Sequence, residues 1–283
     1  MTLVKILAHM SLVLLASTAI TARAQPMTTP VGEVKGSGWE HTHTTLAATV
    51  QQADLVIPVA ATCGALFVGK FRDAPALKPA KIPVVLFLHG SSGLGLKAIG
   101  EWQQWLAREG VASVASDSFA LPDHVTYKSP ISKAEYEQVH ALRASEIAPM
   151  LAALEALPWV DSARIVLAGR SEGSVQVARY SDTEFAARIL FAWSCEANYF
   201  VVEPRNAFEP DKPVLNVISA TDPFFSPSNS WLGNAAAKGH CADVLKDIKR
   251  ASVPLIPGAA HTLLNLPAER DVTSGLLKST LSP

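Results

Sequence analysis

Ser171 sits in the run Gly169-Arg170-Ser171-Glu172-Gly173, directly after the apolar stretch RIVLA (164–168) and directly before a helical pattern. A serine with glycine two places before and two places after fits a sharp strand-to-helix turn, where larger side chains at those places would collide. A serine hydroxyl on such a turn is placed for attack on a carbonyl carbon. It then needs a base to take its proton, an acid to orient the base, and N–H donors for the oxyanion. The sequence offers candidates for each. His261 closes Pro257-Gly258-Ala259-Ala260-His261, after the last expected strand. Asp222 is the one carboxylate in the loop Ala220-Thr221-Asp222-Pro223, after the apolar run 214–219, and Glu196 is the alternative acid, after the strand before. His240 is the alternative base, but it falls within a helical pattern beside Cys241, where a capping or solvated role suits it. His89-Gly90-Ser91-Ser92-Gly93 follows VVLFL (84–88) and offers the N–H of Ser91, or else Ser92, as the first oxyanion donor. The N–H of Glu172, next after the serine, is the second. His89 reads as a structural imidazole at a strand end.

These residues must be held by an alternation of strands and helices. Strands are expected at 84–88, 111–115, 164–168, 189–193, 214–219 and 253–256. Helices are expected at 97–109, 133–157 with a bend at Pro149, 172–180, 234–251 and 268–281. Residues 44–59 and 65–71 carry β-type patterning for an edge hairpin or meander, and 73–83 is a proline-containing loop. Such alternation builds a mostly parallel sheet with helices on both faces. The chain order serine, acid, histidine is that of the α/β-hydrolase fold. The expected organisation is a signal peptide (1–24), a lead-in with edge strands (25–80), flexible to about Glu40, and one catalytic core (81–283) without a large cap.

The chain has 283 residues, 49% of them hydrophobic, and a net charge of −1, so nothing in the charge balance favours nucleic acid or an anionic membrane. Lys5, the apolar run 12–20 and the small-x-small site Ala22-Arg23-Ala24 predict export with cleavage after Ala24, leaving no membrane anchor. The run is too short to span about 30 Å of hydrocarbon. Export permits disulfides. Cys195 closes a strand and Cys241 follows the Asp222 loop, which predicts a bond between them and leaves Cys63 over. His41-x-His43 lies in the lead-in without a third ligand, and no dinucleotide or P-loop motif is present, so neither metal nor cofactor is expected.

The residues HGSSG at 89–93, Asp117-Ser118-Phe119, GRSEG at 169–173, Asp222 and His261 resemble the dienelactone hydrolase family in its exported, serine-containing branch. The resemblance covers about two-thirds of the chain, from about Lys81 onward. Founding members use cysteine where this sequence has Ser171, so the resemblance implies a general esterase or lactonase acting through an acyl-enzyme. Asp117 is expected to cap its turn. Residues 194–212 are too few for a multi-helix lid, which predicts an open site for small soluble esters. Trp193, Tyr199, Phe200, Phe224 and Phe225 are candidates for its rim, Phe224 as a substrate contact, or for plain packing. Arg170 either pairs with a substrate carboxylate or covers the sheet. An exported peptidase and a non-catalytic binding protein of the same fold stand as alternatives.

Overall fold

Val84, Leu86 and Leu88 join one hydrophobic cluster while Val85 and Phe87 between them join another, and Ile165 and Leu167 alternate with Val166 and Ala168 in the same way. Side chains in a strand point alternately to opposite faces, so a run apolar at every position belongs in a sheet buried on both sides. The computed structural model describes residues 29–62 and 64–281 and contains that sheet. The strands are β1 Glu33–Lys35, β2 Asp54–Ile57, β3 Phe67–Lys70, β4 Ile82–Leu88, β5 Ala112–Ala115, β6 Thr126–Lys128, β7 Val160–Arg170, β8 Ala187–Phe191, β9 Val214–Ser219, β10 Ala251–Ser252 and β11 Leu255–Ile256. The main sheet runs β10-β9-β8-β7-β4-β5-β2-β3, with β11 also paired to β9. Every pairing from β10 to β5 is parallel, and β2 is antiparallel to both β5 and β3. β7 stands in the middle of this order, and Ser171 follows its last residue.

The helices are α1 His43–Gln51, α2 Val59–Thr62, α3 Lys97–Arg108, α4 Lys133–Ala144, α5 Ile147–Glu155, α6 Glu172–Arg179, α7 Ala242–Leu245 and α8 Pro267–Leu281. Ile99, Trp102, Trp105 and Leu106 of α3, with Leu277 and Leu281 of α8, cover one face. Helices α1, α4, α5 and α6 cover the other through Val50, Tyr136, Met150, Leu154 and Val175. Each such fully buried side chain contributes about 1.5–3 kcal/mol. On the first face Glu269, in the opening turn of α8, is buried against Trp102, whose indole N–H donates to its carboxyl at 3.2 Å.

Several elements differ from the sequence expectation. Residues 44–51 of the expected β stretch form α1 with His43, because Thr42 and Thr45 close a reciprocal capping box that satisfies the first N–H groups. The long helix over 133–157 is two helices: the break at Ser145 and Glu146 puts Pro149 in the first turn of α5, where its missing N–H costs nothing. Residues 234–251 form a helix only over α7. Their backbone N–H groups are taken by side chains instead: Glu196 accepts from Lys238 and Gly239 (2.7 and 2.8 Å), and Asn234 accepts from Ala236 (3.0 Å). The lead-in is tied down over its described part: β1 pairs antiparallel with β6, and Asp123 accepts from the Ser37 N–H and hydroxyl. His41 is buried rather than on a flexible segment, with Nε2 3.3 Å from Glu146. The expected signal peptide and Cys63 lie outside the described residues. Among the described residues no helix is long and apolar enough to cross a membrane.

Candidate active site

Ser171 has φ 54° and ψ −116°, a conformation that L-residues adopt only when their surroundings force it. The glycines explain how it is reached. A Cβ on Gly169 would fall 2.6 Å from the Gly173 carbonyl, and a Cβ on Gly173 would fall 2.2 Å from the Leu88 carbonyl oxygen. The Ser171 N–H donates to Phe191 O at 2.8 Å, and the Ser174 hydroxyl, which sequence reasoning passed over, donates to Gly169 O at 2.6 Å. These bonds pin the turn between β7 and β8. Ser171 is 8% exposed.

Asp222 follows β9. Its Oδ1 accepts from the N–H groups of Phe224 (2.9 Å) and Phe225 (3.0 Å), and its Oδ2 accepts from His261 Nδ1 at 2.7 Å. Burial raises the Asp222 carboxyl, but the His261 hydrogen bond and charge, with those two N–H donors, outweigh it and hold it below its ordinary value. Burial lowers the His261 imidazole. Asp222 opposes this, the Arg170 charge adds to it, and the net shift is downward from 6.5. At neutral pH the pair is therefore a carboxylate facing a neutral imidazole whose Nε2 carries the free lone pair. Phe224 meets the ring edge-on at 4.6 Å between centroids. Arg170 is 6% exposed, and its guanidinium donates to the Thr262 hydroxyl at 2.6 Å, which ties the residue before Ser171 to the residue after His261. The hydrogen bonds of the described residues include none from the Ser171 hydroxyl to His261.

The alternatives have other duties. Glu196 is engaged at Lys238 and Gly239, and His240 Nδ1 accepts from Ala242 N–H at the start of α7. His89 Nδ1–H donates to Gly90 O at 2.7 Å and Nε2 accepts from Ser118 N–H at 3.3 Å, with burial pushing the ring well below the usual histidine range. Asp117 accepts from Phe119 N–H, capping its turn. Gly90 abuts the nucleophile turn: a Cβ there would be 3.2 Å from Ser171 Cβ. Cys195 and Cys241 are joined in a disulfide. No group of three His, Cys, Asp or Glu able to hold a metal occurs among the described residues.

Two solved structures share this architecture. The crystal structure of esterase PE8 aligns with a TM-score of 0.51 at 17% identity, over 73% of this chain and 96% of that one. A puromycin-hydrolyzing peptidase of Mycobacterium tuberculosis aligns with a TM-score of 0.50 at 15% identity, over 74% of this chain but only 37% of its own length. The chain has the α/β-hydrolase fold. No family model matches it, and no curated protein does. Within the α/β-hydrolase fold, no helix forms here between β8 and β9, the stretch expected to lack a lid. Of the expected rim aromatics, Trp193, Phe200 and Phe225 are buried in the core cluster, while Tyr199 and Phe224 stay partly exposed. A groove of about 680 Å³ at Pro213, Arg250 and Ala251 opens at the amino ends of β9 and β10, the opposite end of the sheet from Ser171.

Charged side chains that the sequence did not single out surround the turn. The buried Glu172 carboxyl accepts from the Tyr127 hydroxyl at 2.6 Å and faces Arg143, which also faces Glu146. Arg143 and Glu146 are three residues apart, but Tyr127 and Glu172 come from β6 and α6, so no local spacing marks the group as a whole.

Proposed function

We propose that this chain is a serine hydrolase of small soluble carboxylic esters or lactones, with Ser171 as nucleophile, His261 as general base and Asp222 as its orienting acid. The observation that carries the proposal is the 2.7 Å Asp222–His261 hydrogen bond, bridged by Arg170 and Thr262 to a serine held in a strained strand-to-helix turn. Ser171 Oγ attacks the carbonyl carbon while His261 Nε2 takes its proton. The carbonyl oxygen, now negative, faces the N–H groups of Ser91 and Glu172. The intermediate collapses, and the alcohol leaves with the proton from His261. The same imidazole then takes a proton from water, whose oxygen attacks the acyl-enzyme; the second intermediate collapses, the proton passes from His261 to Ser171 Oγ, and the acid is released. Each oxyanion donor is worth about 10²–10³ in rate. No cofactor takes part.

The motif resemblance supports placing the chain in the serine branch of the dienelactone hydrolase family. The Cys195–Cys241 bond and the N-terminal sequence support export to the periplasm or beyond. The short stretch between β8 and β9 supports an open site. Labelling with a fluorophosphonate, followed by peptide mapping, tests the mechanism. An adduct on Ser171 in the wild type and none in Ser171→Ala is expected; a wild type that stays unlabelled refutes it. A peptidase reading has the likeness to the M. tuberculosis enzyme behind it. Turnover of puromycin or dipeptidyl p-nitroanilides ahead of p-nitrophenyl esters decides for that reading.

A further inference from the structure

The proton transfers above leave a group of buried charges unused. Arg143, Glu146 and Glu172 have side chains 0%, 0% and 3% exposed, all beside the oxyanion loop. Charges removed from water are costly unless paired and hydrogen-bonded, so a chain that keeps three of them there needs a reason. Arg143 lies between the two segments that carry the proposed oxyanion donors, hydrogen-bonded to one and facing a carboxylate of the other. On one side its Nη2 donates to the carbonyl oxygen of His89 at 3.1 Å, and its Nη1 lies 2.9 Å from His89 Nε2. His89 opens the loop that carries the Ser91 N–H. On the other side Arg143 Nε faces Glu172 Oε1 at 3.8 Å, and the second Glu172 oxygen is fixed by the Tyr127 hydroxyl. Glu172 itself carries the other donor N–H. Behind Arg143, Glu146 Oε2 stands 3.6 Å from Nε and its Oε1 3.3 Å from His41 Nε2, so a second buried carboxylate faces the guanidinium.

We propose that Arg143 is a positioning residue that fixes the two oxyanion donors relative to one another, by holding His89 and Glu172 on a single guanidinium. The inference rests on the hydrolase reading above. A planar, forked cation can address a carbonyl, an imidazole and a carboxylate at once, and an ammonium cannot. The two donors belong to segments far apart in sequence, one after β4 and one after β7. The β4–β7 ladder fixes register as far as Leu88 and Gly169, but Ser91 and Glu172 lie three residues beyond it, while an oxyanion hole depends on donors about 2.7–3.1 Å from the developing charge.

The test compares the wild type with Arg143→Lys. Tyr127→Phe serves as a second variant that removes no ionisable partner of Arg143 and frees one Glu172 oxygen. The measurements are kcat and KM for p-nitrophenyl acetate, the inhibition constant of a trifluoromethyl ketone whose hemiketal oxygen occupies the oxyanion site, and folding by circular dichroism. In folded Arg143→Lys, kcat falls about 10²-fold, KM stays within about threefold, and the ketone binds more weakly by the factor that kcat/KM loses. Tyr127→Phe shows the same proportionality with a loss of about tenfold, and decides the matter if Arg143→Lys does not fold. A purely structural role shifts the melting temperature without that proportionality. Folded variants with kcat within about twofold of the wild type overturn the inference, as does a lost kcat with unchanged ketone affinity. A wild type that neither turns over the ester nor labels at Ser171 overturns the hydrolase reading, and this inference with it. An active, labelled wild type beside an indifferent variant confines the failure to Arg143.

Discussion

Replacing Glu269 with glutamine removes a pH-dependent loss of stability whose size follows from the burial of one carboxyl. Glu269 is 0% exposed; its Oε1 accepts from Trp102 Nε1 at 3.2 Å and Thr273 Oγ1 at 2.8 Å, and its Oε2 has no hydrogen-bond partner among the described residues. Burial is the dominant influence and pushes the carboxyl from 4.5 up to about 8, against the pull of those two donors and Arg270. The folded chain thus binds this proton more tightly than the unfolded chain. The stability it confers is complete below pH 4.5 and is lost as pH rises toward 8, at about 1.4 kcal/mol per pH unit. By pH 7, about 2.5 units above the unfolded value, the loss comes to about 3 kcal/mol. Glutamine keeps the shape and the accepting oxygen but cannot ionise. Its NH₂ takes the place of the protonated oxygen, which adds the same offset at every pH. Urea unfolding with the disulfide intact, at pH 5 and pH 7, reads the effect. Relative to the wild type, Glu269→Gln gains about 2–3 kcal/mol more at pH 7 than at pH 5. An equal difference at the two pH values refutes the reasoning.

Ser171→Ala, His261→Ala and Asp222→Asn each lower kcat by about 10³-fold or more, and the triple variant loses little beyond the worst single one; p-nitrophenyl acetate assays check this, and an active Asp222→Asn removes Asp222 from the mechanism. The imidazole must be neutral to act as a base and burial lowers it, so the acid limb of kcat/KM against pH falls off below 6.5 rather than above it. Turnover favours C2–C4 over C12 acyl chains, with no jump in rate at the substrate's solubility limit; such a jump would point to an interfacial lid. A non-reduced digest yields the Cys195–Cys241 peptide pair, and Cys195→Ser with Cys241→Ser, opening a 46-residue separation, costs up to about 4 kcal/mol in denaturant titrations.

The sequence makes Ser171 legible because a strained turn leaves a local trace: glycines two places to either side, where a Cβ would meet backbone at 2.6 and 2.2 Å. Asp222 and His261 are legible as loop residues at the carboxyl ends of strands, positions set by sheet topology. The β4, β7 and β9 runs are legible from apolar continuity. α1 is misread because Thr44, Thr45, Thr49 and Val50 have the types of a strand, while the reciprocal Thr42–Thr45 cap and the run Leu46-Ala47-Ala48 favour the helix. Residues 234–251 look helical until the Glu196 carboxylate, supplied from the other side of β9, takes the N–H groups a helix would use. Arg143 escapes for the same reason. On a helix sequence a charged residue reads as surface, and only the fold reveals that His89 and Glu172 converge on it.

The stretch from Ala220 to Cys241 contains no helix or strand, and carboxylates hold its backbone instead: Asp222 accepts from the N–H groups of Phe224 and Phe225, and Glu196 from those of Lys238 and Gly239. Here its beginning grows out of β9, and its end is bonded to Cys195, beyond β8. Both ends of the segment are therefore anchored to neighbouring strands, and a local opening between them leaves Asp222 to return to the same imidazole.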